Sequence, residues 1–230
     1  MESSKSNIYG HQNVIVMRHG DRLDKIEPLW AATAAIPWDP PLVQDVVSAL
    51  SAVDVDPKAT SSKDVLCIDN TKLKVAIEFG LCQNKNFRNE DPKDGKYDFK
   101  ISDLEAMFPE GTVDSNVDMV YKELPQWGKS KQDYEDRHFN TMKVLAEKYP
   151  SENLLLITHL GGVSVTLYNY FKDATMYAVD YCGYVEMRRQ ILNSDGFGES
   201  EGFEVVTSHG VSFKDNNVPI HDHVISQSPG

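Results

Sequence analysis

The sequence predicts an α/β domain, and three observations carry that prediction. Two short apolar runs, Asn13-Val14-Ile15-Val16-Met17 and Leu154-Leu155-Leu156-Ile157, are rich in the residues of strands buried on both faces. Each run stops at a histidine close to glycine, His19-Gly20 and His159 before Gly161-Gly162. The second run is followed by a glycine turn and a further helical pattern, which is the order of a βα unit in a parallel sheet.

In chain order, the first strand covers Asn13 to Met17 and runs into Arg18-His19-Gly20-Asp21-Arg22. Val43, Val46, Val47, Leu50 and Val53 mark one helix, and Val75 to Gln83 begins with a strand alternation. Within that alternation Glu78 reads as a solvent-facing residue. From Gln83 to Val120 the chain is dense in Asp, Lys, Asn and Gly, a long surface excursion. Tyr134, Phe139, Met142, Leu145 and Tyr149 recur near helical spacing and predict an amphipathic helix from Asp133 to Tyr149, stopped by Pro150. A strand over Asn153 to His159 and a helix over Val163 to Phe171 follow. Tyr184 to Leu192 and Phe203 to Thr207 read as an antiparallel hairpin at a sheet edge, so the sheet is expected to be mixed. The organisation expected is a polar tail over 1–12, one domain over 13–213 and a mobile tail over 214–230.

Composition narrows the function. The chain has 230 residues, 40% hydrophobic and 25% charged, as expected of a folded domain, and no run approaches the apolar length of a membrane span. Its 23 Lys and Arg against 35 Asp and Glu give a net charge of −12, which repels nucleic acid and anionic lipid. Nucleic acid and membranes are thus not expected as partners, and Arg188-Arg189 is too short to make a basic patch. The polar start lacks a secretory pattern, and Cys67, Cys82 and Cys182 form no C-x-x-C pair. They read as reduced, small core residues of a cytoplasmic or nuclear protein. Trp30, Trp38 and Trp127 read as core or loop anchors, and His221 and His223 as residues of the tail with no metal role.

The chemistry-bearing residues sit at the strand ends. In open α/β sheets ligands bind at the carboxyl ends of strands, where His19 and His159 can meet. Arg18 and Arg22 flank the first histidine, and arginines offer fixed donors suited to phosphate oxygens. Val14-Ile15-Val16-Met17-Arg18-His19-Gly20-Asp21-Arg22, taken with Leu154 to His159, resembles the two histidine motifs of the histidine phosphatase superfamily, the phosphoglycerate-mutase-like proteins. Arg22 and Trp38-Asp39-Pro40-Pro41-Leu42 are similar to the branch of plant phosphoglycerate-mutase-like proteins and the phosphatase domains of ubiquitin-associated SH3 proteins. The likeness runs unevenly from Asn13 to Thr207.

That resemblance implies a three-layer α/β/α fold with a mostly parallel central sheet. It implies that His19 attacks phosphorus and becomes a phosphohistidine that water hydrolyses, with Arg18, Arg22 and His159 binding the phosphate oxygens. It implies no metal and no organic cofactor. The partner would be a phosphorylated small molecule or a phosphoprotein. A mutase is disfavoured, because no further basic residues mark a second charged group on the substrate.

Three features depart from the family pattern. The Ser-Pro-x-x-Arg-x-x-Gln-Thr motif is absent, and the span from Leu42 to Leu73 is too short for a second helix and its loops, as if an internal deletion had removed one helix, one strand and the arginine loop. Gln83 stands where the branch has its glutamate acid, with Glu78 and Glu90 nearby in sequence. Leu160-Gly161-Gly162 replaces Gly-Glu-Gly, placing a branched apolar residue at the mouth. An impaired phosphatase is therefore the leading expectation, and a non-catalytic phosphate-binding or protein-binding module is the alternative.

Overall fold

The structure, a computed structural model, describes residues 7–20, 74–83, 101–106, 108, 111–114, 116–126, 129–193 and 202–215. The residues expected to hold the Val43 to Val53 helix and the tail beyond 215 lie outside them. So do Arg22, Glu90, Cys67, Trp30, Trp38, Trp127, His221 and His223.

β1 (Asn7–Arg18) forms because its second half alternates cleanly: Gln12, Val14 and Val16 are buried on one face, while Ile15 and Met17 are half-buried on the other. Only one face is therefore fully buried, where both were expected. The strand starts at Asn7 rather than Asn13, so the expected N-terminal tail belongs to the sheet from that point on. The reason lies in Gln12, a polar residue with a built partner set. Its amide donates to the carbonyls of Ala146, Tyr149 and Glu152 and accepts from Arg189 Nε at 2.7 Å.

A short helix, α1 (Ile101–Glu105), lies in the expected surface excursion. The principal helix, α2 (Lys131–Lys148), begins earlier than its apolar spacing suggests, because Ser130 caps it. Ser130 Oγ accepts from the Asp133 backbone N–H, and the Asp133 carboxylate accepts from the Ser130 N–H, a reciprocal capping box. Tyr134, His138, Thr141, Met142, Leu145 and Ala146 form its buried stripe. The stripe ends where Gln12 and Arg189 take up the Ala146 carbonyl.

β2 (Leu154–Thr158), α3 (Leu160–Tyr170), β3 (Ala174–Asn193) and β4 (Glu204–Asp215) complete the order. Among the described residues the sheet has four strands in the order β2-β1-β3-β4. β1 and β2 are parallel, as expected, but β3 pairs antiparallel with both β1 and β4. Among the described residues the sheet is therefore mixed, as the hairpin led us to expect, with one parallel and two antiparallel pairings where the family resemblance implies a mostly parallel sheet. The hairpin at the edge is present and runs further at its open end, from Ala174 rather than Tyr184 and to Asp215 rather than Thr207.

Val14, Val16, Leu156, Val185 and Met187 from the sheet pack with Met142, Leu145 and Ala146 of α2 and Val163 and Leu167 of α3 in one core. Both helices therefore cover the same sheet face. The sheet and the helices on this face make two layers among the described residues. Among the described residues no helix is long and apolar enough to cross a membrane.

Candidate active site

Parallel pairing of β1 and β2 sets Arg18 level with Thr158, so the next residue of each strand leaves the sheet side by side. The His19 N–H donates to the Thr158 carbonyl at 2.8 Å, extending the ladder by one step. The His19 and His159 rings then meet edge to face with centroids 4.9 Å apart. The two histidines expected to share a site do meet at the strand ends.

His19 is buried, at 5% exposure. Its Nδ1 lies 2.6 Å from the Gly20 carbonyl oxygen, which can only accept, so Nδ1 carries the proton. In a neutral ring the lone pair then resides on Nε2. His159 caps the N-terminus of α3 in extended conformation. Leu160 opens that helix at 43% exposure, facing solvent rather than filling the site.

Arg18 is half-buried beside them. Its Nη1 donates to the Val179 carbonyl, and its guanidinium carbon lies 4.0 Å from the centre of the Tyr181 ring. Arg18 Nε is buried with no hydrogen-bond partner among the described residues. Tyr181 also flanks His19, with centroids 5.7 Å apart, and the Cys182 N–H donates to the His19 carbonyl at 3.3 Å. These contacts come from a bulge between Val179 and Tyr184, where the β3–β4 register shifts. Cys182 has φ +58°, and the facing Gly210 has φ +62°. Cys182 is exposed and Cys82 half-buried, so the expected core role is corrected for these two: the bulge turns residue 182 out of the packed face. Sequence reading missed Tyr181, because the bulge interrupts the alternation by which strands are recognised.

The turn Phe79–Leu81 brings Gln83 toward this end of the molecule. Thr158 Oγ1 donates to the Leu81 carbonyl, and Arg137 donates to the carbonyls of Phe79 and Cys82. Gln83 lines a groove of about 660 Å³ with Tyr121, Tyr134, Arg137 and Asn140. Glu78 is not solvent-facing, which corrects the strand reading. Its carboxylate accepts from the backbone N–H groups of Gly80, Val120 and Tyr121 at 2.7–3.0 Å, so it serves as a structural clamp.

Behind the His159 turn, α2 presses directly on α3. A side chain at Gly162 would lie 2.7 Å from His138 Nε2 and 2.6 Å from Thr158 Cγ2, and one at Gly161 would lie 2.9 Å from Tyr134 Oη. The glycines therefore serve close helix packing. Tyr134 and His138 stack with ring planes 10° apart. Neither His138 nitrogen, nor Tyr134 Oη, has a hydrogen-bond partner among the described residues. Burial, helped by the Arg137 charge, pushes His138 down to about 4, and burial pushes the Tyr134 phenol up.

Among the described residues no group of three or more His, Cys, Asp or Glu is placed to hold a metal ion. No family model and no curated protein matches the sequence. The fold is similar to that in the crystal structure of the ecdysone phosphate phosphatase from Bombix mori in complex with tungstate, with a TM-score of 0.54. That match covers 87% of this chain and 93% of the other at 16% identity, and at that identity the likeness is one of fold.

Proposed function

We propose that this chain is a phosphomonoester phosphatase of the histidine phosphatase type, in which His19 is the nucleophile. The observation that carries the reading is the fixed tautomer of His19 against His159. With Nδ1 donating to Gly20, the lone pair of the neutral ring lies on Nε2, and the ring touches a second imidazole. The fold neighbour supports the class, since its name states a phosphatase and its crystals hold a tetrahedral oxyanion.

In this mechanism Nε2 forms a bond to phosphorus as the ester P–O bond breaks, and the electron pair leaves with the alkoxide, which takes a proton from solvent water. Water then attacks the phosphohistidine, the P–N bond breaks, and phosphate leaves. Arg18, Arg22 and His159 neutralise the phosphoryl oxygens as charge develops. Gln83 is an amide and cannot protonate an alkoxide, and Glu78 is held by three backbone N–H groups. A missing acid costs about a hundred- to ten-thousand-fold with poor leaving groups. Turnover is therefore weak on alkyl phosphates and better on aryl phosphates. Substrates are phosphorylated small molecules or phosphoproteins, and the internal deletion and the plant-like branch belong to the same reading.

Phosphate release from an aryl phosphate near pH 6 tests it, comparing the chain with His19→Ala. Loss of release in the variant supports the nucleophile. Equal release from two samples that both melt cooperatively overturns the enzyme, and saturable phosphate binding without release supports the non-catalytic module instead.

A further inference from the structure

We propose that Tyr181 is a positioning residue that holds the Arg18 guanidinium beside His19, an inference that rests on the phosphatase reading above. An arginine side chain is long and flexible, and fixing it for one ligand costs rotamer entropy. Here a single segment, the β3 bulge, holds both the cation and the nucleophile at four points. Val179 accepts from Arg18 Nη1, and the Tyr181 ring lies 4.0 Å under the guanidinium carbon. The same ring flanks His19 at 5.7 Å, and the Cys182 N–H donates to the His19 carbonyl.

The stacking uses the guanidinium face and leaves its edge for hydrogen bonds. One edge donor is taken by Val179, while the buried Nε is unpaired among the described residues. A phosphoryl oxygen is the acceptor that such a donor suits. An aliphatic residue at 181 would keep the bulk but lose the attraction of the ring face for the cation. Phenylalanine would keep both. Tyr181 thus acts through Arg18 and needs no contact of its own with phosphorus.

The test is calorimetric titration of the full chain with tungstate at pH 7.5, together with aryl phosphate hydrolysis. The variants are Tyr181→Ala, Tyr181→Leu and Tyr181→Phe, each alone and combined with Arg18→Ala. We expect Tyr181→Ala and Tyr181→Leu to weaken tungstate binding about three- to tenfold and to raise KM by a similar factor, with Tyr181→Phe close to wild type. In the Arg18→Ala background the same changes should have no further effect, a non-additivity that a merely structural role would not produce. Tyr181→Leu carries the same expectation should Tyr181→Ala fail to fold. Binding by Tyr181→Leu equal to wild type, or an equal loss with and without Arg18, would overturn the assignment while leaving the phosphatase intact. A wild-type chain that neither binds tungstate nor cleaves the aryl ester would overturn the phosphatase reading and this one with it.

Discussion

The His19 ring points its partner contact at His159 edge to face, 4.9 Å between centroids, and the contact exists only because β1 and β2 run in the same direction and end level. If His19 is the nucleophile, rapid acid-free quenching with a labelled aryl phosphate should leave label on the wild-type chain and none on His19→Ala. The label should be lost in acid and kept in alkali, as expected of a P–N bond. His159→Ala should still take up label, with kcat lower by about a hundred- to a thousandfold, the effect of removing one donor from a developing oxyanion.

His138 makes stability depend on pH. Its ring is held neutral by burial, so its folded pKa of about 4 lies below the unfolded value of 6.5. Above 6.5 neither state binds the proton and stability is full. Between 6.5 and 4 only the unfolded chain is protonated, and stability falls by about 1.4 kcal/mol per pH unit. From pH 7 to pH 5 the wild type should therefore lose about 2 kcal/mol more than His138→Phe, read as urea midpoints at each pH.

Gly162 is where two helices touch without a side chain between them. Gly162→Ala places a methyl 2.6–2.7 Å from Thr158 and His138, inside van der Waals contact. The expected cost is about 1–3 kcal/mol, with lower activity because the displaced turn carries His159. Gly10→Ala, at a position with no neighbouring atom within 4 Å, is the control and should change the urea midpoint little.

Gln12 joins the sheet to the end of α2. Gln12→Leu removes the amide's hydrogen bonds to the carbonyls of Ala146, Tyr149 and Glu152 and the bond it accepts from Arg189 Nε, while Arg189, only 5% exposed, keeps its Nη2 bond to Ala146. We expect a loss of about 2–3 kcal/mol and a Tm lower by several degrees in thermal melts followed by circular dichroism.

Much of this arrangement is readable from the chain itself. The apolar runs ending in histidine locate β1, β2 and the meeting of His19 with His159, because strand burial and chain direction at a parallel pair are local properties. His138 was also within reach, since 134, 138, 142 and 145 share one helical stripe. The position of Tyr181 was not. It depends on a bulge whose partner, Gly210, comes from another strand, and no local pattern encodes that pairing. Glu78 was misread for the same reason, as two of its three donors lie at Val120 and Tyr121. The capping box was legible once Asp is accepted in place of Glu at the third helical position.

The placement of β1 between β2 and β3 has a consequence for biosynthesis. β1 is synthesised long before its described partners, which begin only at Leu154 and Ala174. At translation rates of 5–20 residues per second, Val14 to Met17 wait on the order of ten seconds as an unpaired, apolar strand. Pairing at such long sequence separation also slows folding once the chain is complete. A nascent chain halted before Ala174 would leave Arg18 without Val179 and Tyr181 to hold it.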